Sequence, residues 1–196
     1  MNELLKQIKI DALANDVPII QDPSLEVIGK LIDENHVTKI IEIGTAVGYS
    51  ALSFSEHQSV KQIDTFERNS QMASIARQNI ALCQKEDAIL IHEIDALLFD
   101  ENGLNNDYDL LFIDAAKAQS RKFFEKYSPL IKKGGFIIID NIIFHGLDEN
   151  DASLSKNLRS MLKKIRLFVE WLKTLPNYEV TFFEGGDGLA ITRKQC

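Results

Sequence analysis

Three oxygen-bearing side chains stand out because each closes an apolar run: Asp114 ends Tyr108 to Ile113, and Asp140 with Asn141 ends Phe136 to Ile139. If those runs are parallel strands of one sheet, the three groups converge on one rim. Carboxylate and amide oxygens without His or Cys suit a hard cation such as Mg²⁺, and an octahedral ion leaves positions for water and for a chelating substrate. A cation there lowers the pKa of a bound hydroxyl and fixes the resulting oxyanion. Lys117 follows Asp114 by three residues, one turn into the next helix, so its amine returns toward the same pocket as a base or a steering charge. Asp114, Asp140 and Asn141 are therefore the candidate metal ligands, and Lys117 and Asp114 the candidate catalytic residues.

A second signal is the stretch Glu42-Ile43-Gly44-Thr45-Ala46-Val47-Gly48-Tyr49-Ser50, a glycine-punctuated turn from a strand into a helix. Doubly wound sheets bind nucleotides at such a turn. Gly44 lets the chain turn sharply and Gly48 lets the helix lie close to strand and ligand. A dinucleotide fingerprint would place a second glycine where Ala46 stands, to admit a pyrophosphate. Its absence points to a nucleotide-like ligand without one, of which S-adenosylmethionine is the common example. Glu67 ends the next apolar run, where it can accept from both ribose hydroxyls, and Asp95 follows the third, near an adenine; Ser50 and the Glu42 region line the amino-acid end.

Strands are expected at Lys39 to Ile43, Lys61 to Phe66, Ala88 to His92, Tyr108 to Ile113 and Phe136 to Ile139. Helical patterns fall between them near 47–57, 69–84, 96–102 and 117–128, the βαβ alternation of a parallel sheet. Lys132 to Gly135 reads as the turn into the fifth strand. A helix at 154–174 turns Leu158, Met161, Ile165, Phe168 and Leu172 to the core, and Tyr178 to Phe183 with Leu189 to Arg193 flank a glycine-rich turn, which makes a hairpin. The expected fold is α/β and Rossmann-like: a mostly parallel seven-stranded sheet with a C-terminal antiparallel hairpin and helices on both faces. Residues 1–37 form a helical cap whose second helix has Asp22 as cap and Pro23 at its first position; residues 38–196 form the core, and the whole is one domain.

The net charge of −7 repels polyanions as a whole, so any nucleic-acid contact needs a local basic patch. Cys83 and Cys196 are the only cysteines; with no CxxC spacing and no secretory signal at the start, a cytoplasmic setting is expected. The longest apolar stretches are too short for a membrane span, which takes about 20 residues. His36, His57, His92 and His145 lack metal-ligand spacing and read as structural or surface residues; His145, with Phe144 before it, follows the metal pair in a loop that can reach a substrate.

The segments Ile41 to Ser50 (IEIGTAVGYS), Phe66 to Asn69 (FERN), Ile113 to Lys117 (IDAAK) and Asp140-Asn141 together resemble the metal-dependent O-methyltransferases that include the catechol and caffeoyl-CoA enzymes. Within that family the resemblance is greatest to the branch that methylates 5-hydroxyuridine at the tRNA wobble position, through Val17 to Ile20, the loop Asp140 to Gly146 and the ending Gly186 to Ile191. The resemblance implies S-adenosylmethionine contacts from Ile20, Ser50, Glu67, Asp95 and Asp114, Mg²⁺ on Asp114, Asp140 and Asn141, a homodimer, and the tRNA anticodon loop as substrate. The chain departs from that branch at His145, where a lysine is expected.

Chemically, 5-hydroxyuracil sets its 5-oxygen beside the 4-carbonyl oxygen and chelates Mg²⁺ as a catechol does, so the metal logic does not separate tRNA from a small catechol-like or phenolic acceptor. Lys156, Arg159, Lys163, Arg166 and Lys173 share one side of the 154–174 helix, interrupted by Glu170; such a side can track phosphates or simply be a solvated face. A non-catalytic cofactor-binding module is the third reading, disfavoured because the metal ligands and Lys117 are all intact.

Overall fold

The computed structural model describes residues 3–115, 117–142, 150–151 and 153–195. Five parallel strands, β1 (Lys39–Ile43), β2 (Gln62–Phe66), β3 (Ile89–His92), β4 (Tyr108–Ile113) and β5 (Ile131–Asp140), join an antiparallel pair, β6 (Tyr178–Phe183) and β7 (Leu189–Lys194). The sheet runs β3-β2-β1-β4-β5-β7-β6. Strand order therefore reverses between β1 and β4, and the crevice at that switch point is where such sheets take their ligands.

Among the described residues six α-helices cover it: α1 (Glu3–Ala14), α2 (Asp22–Glu34), α3 (Tyr49–Ser55), α4 (Ser70–Leu82), α5 (Ser120–Tyr127) and α6 (Lys156–Lys173). Side chains alternate across each strand. Ile40, Leu110, Phe112 and Ile138 meet Ile8, Ile28, Phe54 and Ile80 from α1 to α4 on one face. Ile41, Leu111, Ile113 and Ile137 meet Phe124, Tyr127, Phe168 and Leu172 from α5 and α6 on the other. Because both faces are covered, β4 and the end of β5 are apolar almost throughout rather than alternating. Phe112 is fully buried and lies edge-to-face on Phe54, ring centres 5.3 Å apart; truncating such a ring to alanine removes about 3–5 kcal/mol.

Four local expectations are corrected. Residues 96–102 do not form a helix: Asp95 Oδ1 accepts from Leu97 N (2.9 Å) and Asp100 Oδ1 from Asn102 N (3.1 Å), and these side-chain turns leave a short 3₁₀ turn at Glu101–Gly103. Lys132 to Gly135 is not a turn ahead of β5 but a bulge within it, since Ile131 pairs with Tyr108 and Phe136 with Leu110, leaving four residues opposite Asp109. The Asp109 carboxylate holds that edge, accepting from Thr38 N (2.7 Å), Lys39 N (2.9 Å) and Lys132. The α2 cap is Gln21, not Asp22, which is the first helical residue and pairs with Lys9 at 2.5 Å. On α6, Leu162 is buried where Leu158 and Met161 are only partly covered. Among the described residues, no helix is long and apolar enough to cross a membrane.

Candidate active site

The tips of β1, β2 and β4 are sewn together by backbone hydrogen bonds before any ligand is considered. Gly44 N and Thr45 N donate to Phe66 O at 3.0 and 3.2 Å, and Asp114 N donates to Ile43 O at 2.9 Å. Gly44 is at φ +107°, and a β-carbon there would come within 2.1 Å of Asp114 O. Only glycine lets the first turn and the fourth strand end approach so closely. Ala46 follows at φ 46°, a left-handed conformation alanine rarely adopts; its N donates to Glu67 Oε2 at 2.9 Å, which fixes it.

Glu67 thus organises the turn as well as lining the cleft. Its Oε1 accepts from Asn69 N at 2.8 Å, and Asn69 in turn caps α4 through Gln71 N and Met72 N. With one lone pair per oxygen committed to a backbone N–H, the carboxylate is held rigidly and each oxygen keeps acceptor capacity for ribose hydroxyls. Around it opens a cleft of about 900 Å³, mouth included, walled by Ile20, Gly44, Ser50, Glu67, Asp95 and Asp114. Polar groups at the strand ends facing an apolar wall are the lining a nucleoside-like ligand needs. Asp95 lies 3.7 Å from Arg68, so this end of the cleft also carries a cation.

Two residues expected to contact the cofactor do not line the cleft. Gly48 is the N-cap of α3 at φ +85°, and a β-carbon on it would meet Ala76 only at an ordinary 3.4 Å contact, so glycine serves there for its left-handed backbone rather than for space. Glu42 lies beneath the floor, fully buried, accepting from Ser50 Oγ and Thr65 Oγ1, each at 2.5 Å. Burial pushes its carboxyl up to about 7, against the two hydroxyl hydrogen bonds that favour the anion. It positions Ser50 from below.

On the β4–β5 side, Asp114 belongs to the cleft wall and accepts from Lys117 Nζ at 3.0 Å. Asp140 is 2% exposed. Burial foremost, then the neighbouring Asp114 carboxylate, pushes Asp140 up to about 7, while Lys117 opposes the shift. Asn141 takes φ 54°, donates its N to Asp140 Oδ1 (2.8 Å) and its Nδ2 to Asp187 Oδ2 (3.2 Å). Among the described residues no three His, Cys, Asp or Glu side chains make a metal-holding group by themselves, so a cation here draws on the Asn141 amide oxygen too. Acidic groups crowded at one buried point, with that oxygen's amide partner already engaged, suit a hard divalent ion.

Asp187 is the site residue that sequence reasoning missed. Only the observed register reveals it: with β7 antiparallel to β5 and Leu189 opposite Asp140, the residue two places before Leu189 stands just beyond Asp140 and Asn141. Of the histidines, His92 contacts Asp64 (Nε2 to Oδ1, 2.8 Å) and His57 contacts Asp33 (2.7 Å), both structural. Phe144 and His145 lie outside the described residues.

The O-methyltransferase family model matches residues 2–195. Tapetum-specific methyltransferase 1 of Arabidopsis thaliana is 28% identical over 98% of this chain and 87% of its own length, and the caffeoyl-CoA O-methyltransferase of Populus kitakamiensis is 28% identical over 92% and 78%. A Staphylococcus aureus structure provisionally named a caffeoyl-CoA O-methyltransferase is 42% identical, covering 97% of this chain and 91% of that one with a TM-score of 0.88. An O-methyltransferase from Bacillus cereus, solved with S-adenosylhomocysteine, is 25% identical over 100% and 92%, with a TM-score of 0.83. The match runs through every strand end described above, and the chain belongs to the O-methyltransferase family.

Proposed function

We propose that this protein transfers the methyl group of S-adenosylmethionine to a phenolic or catechol-like hydroxyl flanked by a second oxygen, with Mg²⁺ held by Asp114, Asp140 and Asn141. The observation that carries the proposal is the double membership of Asp114. It walls the nucleotide cleft and acts electrostatically on buried Asp140, so donor and cation pockets share one side chain. The caffeoyl-CoA enzymes among the relatives support a phenolic acceptor.

The donor supplies an electrophilic methyl and the cation lowers the hydroxyl pKa; the remaining work falls to the chain. Glu67, pinned by two backbone N–H groups, orients the ribose. Ser50, held from below by Glu42, and Ile20 set the donor's depth in the cleft. Lys117 Nζ donates to the Asp114 carboxylate at 3.0 Å, which holds its head at the edge of the cleft beside Asp140. Its task is to steer and neutralise the acceptor oxyanion, whose proton passes to solvent when the bound cation has lowered the hydroxyl pKa.

A second acceptor, 5-hydroxyuridine in tRNA, is favoured by one observation. Lys156, Lys163 and Lys173 are exposed on one side of α6, although Arg166 there is paired with Glu170 at 2.7 Å. Purified protein assayed with caffeate or catechol, and separately with tRNA lacking its 5-methoxy group, decides between them. Methylation of the small acceptor that requires Mg²⁺ and disappears in Asp140→Ala supports the proposal. Methylation of tRNA alone transfers the function to the second acceptor, and full activity in a chelator removes the cation from the mechanism.

A further inference from the structure

Asp187 stands where two parts of the site meet. Its Oδ2 accepts from Gln21 Nε2 at 2.7 Å and from Asn141 Nδ2 at 3.2 Å. Gln21 heads α2 and directly follows Ile20, a buried wall of the donor cleft. Asn141 is the amide member of the metal trio. The hairpin turn also brings Gly186 against the same side chain, where a β-carbon would lie 2.9 Å from Gln21 Oε1. One carboxylate oxygen thus ties the segment that touches the donor to the side chain that touches the cation.

We propose that Asp187 is a positioning residue that couples donor binding to cation binding, a reading that rests on the metal-dependent function above. With its Nδ2 held by Asp187, Asn141 presents its Oδ1 as the free end of the amide. Donor packed against Ile20 fixes Gln21, Gln21 fixes Asp187, and the ordering of Asn141 is then already in place when the cation arrives. By linkage the cation must strengthen donor binding by the same factor.

The test is calorimetric titration of Mn²⁺ into the full-length protein with and without saturating S-adenosylhomocysteine, which needs no turnover. The expected result is that the wild type binds Mn²⁺ about fivefold more tightly with the nucleoside present, and that Asp187→Asn and Gln21→Ala each bring the ratio to within about twofold of unity. Gln21 is exposed, so its alanine variant should fold if Asp187→Asn does not, and melting curves check both. A merely structural role would move the melting temperature and leave the ratio alone. An unchanged ratio in both folded variants overturns the coupling, as does a wild-type ratio of one. In the latter case Mn²⁺ binding that Asp140→Ala abolishes leaves the metal-dependent function standing; no Mn²⁺ binding under either condition ends both.

Discussion

Gly44→Ala separates two effects that positive φ usually confounds. At φ +107° a β-carbon carries backbone strain of about 1–2 kcal/mol. It also comes to 2.1 Å from Asp114 O and 2.9 Å from Asp114 C, well inside the ordinary carbon–oxygen contact. Neither side can retreat cheaply, because Gly44 N is bonded to Phe66 O and Asp114 N to Ile43 O. Overpacking of this kind adds about 1–3 kcal/mol, so the expected loss is roughly 2–5 kcal/mol, which for a chain of this size lowers the melting temperature by roughly 5–20 °C. Gly134→Ala is the internal control: φ is +77° there, yet nothing lies within 4 Å of the added carbon, and only the conformational part, about 1–2 kcal/mol, remains. Urea unfolding of the two variants, with S-adenosylhomocysteine calorimetry on each, measures both effects. Equal destabilisation, or a Gly44→Ala protein that binds the nucleoside as the wild type does, would refute the idea that the β1 and β4 tips are locked together at this glycine.

Glu42 binds its proton more tightly folded than unfolded, since burial lifts it from 4.5 to about 7. Its contribution is thus fully present below pH about 4.5 and lost as pH rises through about 7. Glu42→Gln should remove about 2–3 kcal/mol from the fall in wild-type stability between pH 5 and pH 8, a fall to which Asp140 also contributes, read from urea midpoints; parallel pH profiles would contradict it. If Lys117 steers an oxyanion, Lys117→Arg should keep kcat within about tenfold, whereas loss of a general base costs about 10²–10⁴-fold; kcat measured at saturating acceptor distinguishes them. Tyr108→Phe removes the 2.7 Å hydrogen bond to buried Asp64 and should lower stability by about 1.5–3 kcal/mol, with no effect on nucleoside affinity.

Much of this was legible in the chain. The strand ends at Ile43, Phe66 and Ile113 followed from apolar runs closed by Gly, Glu and Asp, because burial on both faces writes an unbroken signal. The segment at 96–102 misled because its apolar residues mimic a helical stripe, while the competing Asp95 and Asp100 side-chain turns depend on local geometry that spacing does not encode. Gly48's part was only half visible for a related reason: its place in the glycine-rich turn can be read, but the left-handed angle at which it caps α3 is a fact of the fold. Asp187 was hidden until the hairpin register was fixed, since nothing in Gly-Asp-Gly says which strand end it will face.

The reversed direction of β7 has a consequence for damage to the chain's tail. β7 alone covers the free side of β5, pairing from Phe136 to Asp140, and there Ile137, Ile138 and Ile139 are fully buried. A protease clipping within 189–194 would strip that cover and bare an isoleucine-rich ribbon with open backbone groups, a template for self-association. Nicked molecules should be lost to precipitation before the remaining strands come apart.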